Sequence, residues 1–160
     1  MKLFLKRDTS DMSSRFVVLD EYGKQKFIVT GKNSASKQKL AVFNNESVKM
    51  ADITYYDFVV RYFSVKCCKH LYALVPCLEK EFVFIIYGST LRFIGNIPSG
   101  RFSLIDVDKS VVMMQKKCWG KYGNGFELEI FDDEQEIFSL SVAICANLYI
   151  SAAEENPVPT

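Results

Sequence analysis

The single histidine of the chain, His70, follows the adjacent pair Cys67–Cys68 by two residues. In a β-strand, side chains two residues apart share a face, so Cys68 and His70 would present two soft ligands to one metal ion. A closed zinc site needs about four ligands, and Cys77 or Cys118 would have to come from elsewhere. His70 is also the only histidine that could serve as base for a nucleophilic hydrolase. No nucleophile motif accompanies it. We therefore predict no catalytic residue, no metal and no cofactor, with a hydrolase or metal-dependent enzyme using His70 as the alternative.

Two groups of basic residues, one flanking a predicted loop and one around the single tryptophan, offer a different chemistry, the binding of anions. These residues are Lys32, Lys37, Lys39, Lys116, Lys117, Trp119 and Lys121. If both loops lie at one rim of the fold, several cations and one interfacial aromatic ring would face an anionic membrane together. The competing interpretation is that these lysines are solvated and keep the strand edges unpaired. We predict them as contacts for anionic phospholipid.

Composition and charge narrow the choice of partner and compartment. The chain has 160 residues and a net charge of +1, so bulk electrostatics favour no nucleic-acid partner. Lys and Arg predominate in the first half and Asp and Glu in the second, and we expect these charges to neutralise each other once the strands intermix. The 5 cysteines form no CxxC motif, and Met1–Arg7 lacks the apolar run of a signal peptide. We expect a cytoplasmic protein that attaches peripherally to a membrane or binds a protein partner.

Short strand-like segments, separated by turn residues, recur along most of the chain. Phe126, Leu128 and Ile130 alternate with Glu127 and Glu129, which is the period of a β-strand. The predicted strands are 2–6, 15–20, 25–31, 38–43, 47–54, 58–66, 70–77, 82–87, 91–95, 101–107, 111–118 and 126–131. Regular short strands of this kind indicate a sandwich or a barrel.

The C-terminal segment has a different pattern, since Ile137–Ala153 contains no charged residue. We predict a helix at about 134–152, started by the acidic residues at 132–136, and a disordered tail at 154–160. A helix that is apolar on all sides must be buried in protein or in lipid. Its length of roughly 28 Å approaches that of a membrane anchor. The absence of flanking Lys or Arg favours burial in protein.

Burial of this helix explains how so many strands can form one domain. Barrel diameter grows with strand number, so side chains from twelve strands alone leave the interior unfilled. A helix in the lumen would need apolar side chains in every direction. We therefore predict a mainly β protein, in which residues 1–153 form a closed twelve-stranded antiparallel β-barrel that encloses the hydrophobic C-terminal helix.

Several stretches of the sequence resemble one known family. They are the opening Met1–Lys6, Arg15–Gly23, Phe27–Lys32, Trp119–Gly120, Phe126–Ile130 and the acidic Asp132–Glu136 before the helix. In these stretches the chain resembles the LURP-one-related family of the tubby C-terminal-like superfamily, over about residues 1–153. This resemblance implies a β-barrel around a hydrophobic helix, related in fold to phospholipid scramblases and tubby proteins.

The resemblance also implies a class of function. Tubby domains bind phosphoinositides through a basic surface site with a Lys-x-Arg strand pair, and scramblases act on lipids. This chain has Lys24–Gln–Lys26 and Lys37–Gln–Lys39 instead of that pair. The implied function is a non-enzymatic binding module for anionic lipid headgroups or for a protein partner.

Overall fold

Twelve strands and one long helix make up the fold. The computed structural model describes residues 1–8, 14–33, 37–57, 59–77, 83–120 and 122–155. The strands are β1 (Lys2–Arg7), β2 (Ser14–Leu19), β3 (Gln25–Asn33), β4 (Lys37–Asn44), β5 (Lys49–Asp57), β6 (Arg61–Cys67), β7 (His70–Cys77), β8 (Val83–Tyr87), β9 (Arg92–Asn96), β10 (Arg101–Ile105), β11 (Val111–Gly120) and β12 (Gly123–Ile130). A 3-10 turn at Asp133–Gln135 leads into α1 (Glu136–Glu155).

The strands form a nearly closed antiparallel barrel. Strands β1 to β8 pair successively, as do strands β9 to β12, and β1 also pairs with β12, with Lys2 opposite Glu129 and Leu5 opposite Phe126. The sheet order therefore runs from β8 back through β1 to β12 and on to β9. Within the described residues, β8 and β9 lie side by side without a hydrogen-bonded ladder. This junction is the seam of the barrel.

Alternation along the strands places apolar side chains inside the barrel. On β1, Leu3 and Leu5 are buried, and on the paired strand β12, Leu128 and Ile130 are buried. Glu127 lies on the outer face, where its carboxylate is 3.6 Å from Lys2. Burying a Leu or Ile side chain stabilises a fold by roughly 1.5–3 kcal/mol, so the inner wall is the main source of stability.

The helix α1 fills the lumen. Every residue from Ile137 to Leu148 is buried, which leaves no exposed face along this part of the helix. The helix packs against β5 and β6 on one side and against β11 and β12 on the other. Its first residue, Glu136, accepts a hydrogen bond of 2.8 Å from Lys26 of β3. The predicted barrel with an internal helix is confirmed.

Some boundaries differ from the predictions. The segment predicted as a strand from residue 58 includes a bend at Val59 and Val60, and β6 begins at Arg61. The helix begins at Glu136 and ends at Glu155, so Glu154 and Glu155 are helical and were wrongly placed in the predicted tail. Residues 156–160 of that tail lie outside the described residues. Among the described residues, no helix has the length and apolar character needed to cross a membrane.

Candidate functional site

The strand directions bring several distant basic residues to one end of the barrel. Antiparallel neighbours place the end of β1, the β3–β4 hairpin and the end of β11 at the same rim. We call this end the basic rim and define it by its cationic side chains. They are Arg7, Lys32, Lys37, Lys39 and Lys117. The sequence analysis identified the four lysines but missed Arg7.

The β3–β4 hairpin contributes three exposed lysines on the outer face of the barrel. Lys32 and Lys39 are direct partners in the antiparallel register, a position where like charges repel. Within the described chain, neither lysine forms an ion pair. The ammonium of Lys37 lies 5.3 Å from the ring centroid of Tyr56, a cation–π distance. This group of cations suits an anionic partner, because an anion would relieve the repulsion.

Three exposed apolar side chains lie at the same end. Trp119, near the end of β11, is 76% exposed, and Val59 and Val60 between β5 and β6 are 84% and 61% exposed. Trp119 was predicted from the sequence, but the two valines were not, because their β-branched side chains are typical of a strand. Apolar side chains beside cations are typical of surfaces that enter the membrane interface.

The remaining basic residues predicted around Trp119 do not all face the rim. Lys116 lies on the outer face of β11, where its ammonium is 3.0 Å from Glu127. The hydrogen bond to Glu127 raises the pKa of Lys116. Lys117, the next residue, lies on the inner face, with its side chain over Gly100. Gly100 has a φ of +73°, a conformation that favours glycine. Lys121 lies outside the described residues.

The barrel opens into a pocket at the basic rim, which we call the rim pocket. Its volume is about 320 Å³. Leu5 and Phe16 of the wall and Ile150 of α1 form apolar sides, while Arg7 and Lys117 stand at its edge. Other side chains that line it are Pro98, Cys118, Trp119, Asn124, Phe126 and Asn147. The amide of Asn147 donates a hydrogen bond of 2.7 Å to the Ala143 carbonyl, which satisfies that N–H inside the lumen.

The opposite end of the barrel carries many of the acidic side chains, together with lysines such as Lys24, Lys66 and Lys109. The acidic side chains in its loops are Asp20, Glu21, Glu46, Asp106, Asp108, Asp132, Asp133 and Glu134. Antiparallel strands take loops from both sequence halves to both ends, so the two halves intermix as expected, but the excess of acidic side chains at this end and of basic ones at the rim leaves a field along the barrel axis. A field of this kind orients a protein as it approaches a charged surface.

The predicted pairing of Cys68 with His70 on one strand face is wrong. Cys68 and Lys69 form the two-residue turn between β6 and β7, and Cys67 pairs with His70 across it. Cys68 has a φ of 53° and Lys69 a φ of 66°, as a tight hairpin turn requires. Among the described residues, no group of three or more His, Cys, Asp or Glu side chains is arranged to hold a metal ion.

Comparisons with known proteins find no counterpart for this arrangement. No family model, no curated protein and no solved structure matches the chain.

Proposed function

We propose that this protein is a non-enzymatic, tubby-like binding module, similar to LURP-one-related proteins, that docks its basic rim on an anionic phospholipid membrane. One observation carries the proposal. Lys32, Lys37 and Lys39 lie at the same end of the barrel as the exposed side chains of Trp119, Val59 and Val60, and acidic side chains are concentrated at the other end. An anionic membrane is complementary to both features of the rim, since it attracts Lys32, Lys37 and Lys39 and accepts Trp119.

The expected strength of docking follows from the number of cations. Each Lys or Arg near an anionic bilayer contributes about 1 kcal/mol. A small group such as Lys32, Lys37 and Lys39 therefore gives weak attachment, which salt reduces because it screens exposed charges. Insertion of Trp119, Val59 and Val60 would add an apolar contribution that salt does not screen. Docking should thus combine a salt-sensitive and a salt-insensitive component.

Co-sedimentation with lipid vesicles tests the proposal. Vesicles of phosphatidylcholine with phosphatidylserine should bind the protein at low salt and release most of it at high salt, whereas vesicles of phosphatidylcholine alone should not bind it. The triple variant Lys32→Gln/Lys37→Gln/Lys39→Gln should lose most of the binding. A matched triple variant, Lys24→Gln/Lys66→Gln/Lys109→Gln, removes the same charge away from the rim and should bind like the original chain.

The apolar component has its own variant. Val59→Ser/Val60→Ser changes two exposed side chains, so it should weaken vesicle binding without changing the unfolding midpoint. The absence of binding at low salt would overturn the proposal and favour a protein partner at the same rim. Equal losses in the two lysine variants would also contradict it, because binding would then depend on net charge alone.

A further inference from the structure

The rim pocket combines apolar walls with inward-facing cations. On β1, Leu3 and Leu5 are buried inside the barrel, and Arg7 is the next residue on that inner face. On β11, Lys117 and Trp119 continue the inner face of buried Gln115 in the same way. Each inner row thus ends in a cation, Arg7 on β1 and Lys117 on β11, whose side chain is exposed at the mouth of the barrel. The two cations therefore stand where the apolar cavity opens.

Both cations are held by neighbouring side chains. The guanidinium of Arg7 lies 5.8 Å from the ring centroid of Phe16, which is a pocket wall. The aliphatic stem of Lys117 packs where a side chain at residue 100 would lie, a space that Gly100 leaves open. Among the described residues, Lys117 has no acidic partner within ion-pair distance. These contacts bring both positive charges to the mouth of the pocket.

The shape of the cavity limits what can occupy it. A volume of about 320 Å³ is at the lower end of the roughly 300–1,000 Å³ of small-molecule sites. Water molecules would find few hydrogen-bond partners along the apolar side chains of Leu5, Phe16 and Ile150. A bare inorganic anion would leave those apolar walls uncovered, and a neutral hydrocarbon would bring no negative charge to the mouth where Arg7 and Lys117 lie. A ligand with one apolar chain and one anionic head satisfies both parts.

We propose that the rim pocket binds one amphipathic anion, with its alkyl chain against Leu5, Phe16 and Ile150 and its anionic head at Arg7 and Lys117. The inference deepens the proposed function and rests on it, because a bilayer under the rim would supply such a molecule. A free fatty acid or a monoalkyl phosphate has the same chemistry and would bind in the same way. The ligand class is therefore a single-chain carboxylate or phosphate.

The chain provides its own optical probe for this site. Trp119 is the single tryptophan of the sequence and lines the pocket, so a ligand that covers it should shift its fluorescence to shorter wavelength. Decyl phosphate below its micelle-forming concentration should give a saturable change with one molecule per protein. Decanol and inorganic phosphate, which each carry half of the required chemistry, should give little change at the same concentration. An equal response to decanol would overturn the role of the two cations.

Substitutions separate the two parts of the pocket. Arg7→Gln and Lys117→Gln should each weaken decyl phosphate binding about tenfold, the effect of losing one charged contact. Lys24→Gln, at the acidic end, is the matched control and should leave the affinity unchanged. Ile150→Phe adds volume to the apolar wall and should abolish binding. Calorimetry on Trp119→Phe, which retains the rest of the pocket, should still detect binding if the fluorescence change reports the ligand correctly.

The outcomes distinguish this proposal from the proposed function. The triple variant of Lys32, Lys37 and Lys39 should lose vesicle binding but keep decyl phosphate binding, since these lysines lie on the outer face. Vesicle binding without any response to decyl phosphate would overturn the pocket proposal and leave the docking proposal standing. Decyl phosphate binding without vesicle binding would overturn docking and identify free amphiphiles as the source of the ligand.

Discussion

The rings of Phe84 and Phe93 meet edge to face across the seam of the barrel, with their centroids 5.4 Å apart. This contact joins two longer aromatic series. Phe84 also meets Phe63 edge to face at 5.6 Å, and Phe93 stacks on Phe102 at 4.4 Å. Tyr149 of the helix lies 6.1 Å from Phe84. Where the described backbones of β8 and β9 form no ladder, packing of aromatic rings closes the wall from inside.

Removal of one ring should therefore open the seam. Phe93→Ala deletes a buried ring and should lower the free energy of unfolding by about 3–5 kcal/mol, the usual effect of truncating a core Phe. Urea unfolding followed by circular dichroism measures the loss. Phe131→Ala, which removes a ring that is 54% exposed, is the control and should change the free energy by less than about 1 kcal/mol. Similar losses in both variants would show that the seam rings contribute no special stability.

Two serines inside the helix should respond to alanine in opposite ways. Both are fully buried, but the Ser141 hydroxyl donates a hydrogen bond of 2.8 Å to the Ile137 carbonyl, whereas the Ser139 hydroxyl has no partner among the described residues. Ser139→Ala removes a desolvated polar group and should raise the free energy of unfolding by about 1 kcal/mol. Ser141→Ala should be neutral or destabilising. Both variants gain the same helix propensity, so their difference isolates the hydrogen bond. Equal shifts in thermal unfolding would contradict the assignment.

The turn between β6 and β7 should be stabilised by glycine. Lys69 has a φ of 66°, a conformation that is strained by roughly 1–2 kcal/mol for residues with a side chain. Lys69→Gly relieves this strain but adds freedom to the unfolded chain, so we expect a net gain of about 0.5–1 kcal/mol. The control, Lys66→Gly, lies in β6 and should lose a similar amount. A loss at residue 69 in urea unfolding would contradict the turn geometry.

Stability should decline at alkaline pH. Burial raises the pKa of Cys67 to about 12 and, with the nearby Asp57, raises the pKa of Tyr55 to about 12. The unfolded chain releases these protons first, from about pH 9 for the thiol and pH 10 for the phenol. Their contribution is thus intact below about pH 9 and is lost as the pH rises toward 12. The urea midpoint should fall over this range.

A tyrosine variant identifies one source of that decline. Tyr55→Phe removes the buried phenol and should flatten the fall of the urea midpoint above pH 10. Tyr22→Phe removes an exposed phenol and should leave the profile unchanged. A profile that is identical in all three chains would show that Tyr55 does not titrate with unfolding.

The sequence predicted the wall and the core because both depend on regular patterns. Phe126, Leu128 and Ile130 alternate in the sequence and lie on the inner face of β12. Leu128 and Ile130 are buried there, and Phe126 is partly buried. The helix was predictable because a segment that is apolar on all sides has to be enclosed. Its last residues were missed, since Glu154 and Glu155 interrupt the apolar pattern but not the helix.

The site was only partly predictable, because proximity to a loop does not tell on which face of a strand a residue lies. Lys116 and Lys117 are adjacent in sequence but lie on opposite sides of the wall, one paired with Glu127 and the other at the pocket. Arg7 belongs to the same pocket, and nothing in the sequence near Trp119 points to it. The turn at Cys68 was missed for a related reason, since it lacks the Asn and Gly that usually mark such turns.

The pairing of β1 with β12 has a consequence for the order in which the molecule can assemble during synthesis. Strand β1 is synthesised long before its hydrogen-bonding partner β12, and the Met1 amine donates a hydrogen bond to the carbonyl of Ile130. The helix that fills the lumen is made later still. The apolar faces of the earlier hairpins therefore stay uncovered until β12 and α1 have been made. Contacts so distant in sequence form slowly, which lengthens the interval in which these faces are open to aggregation.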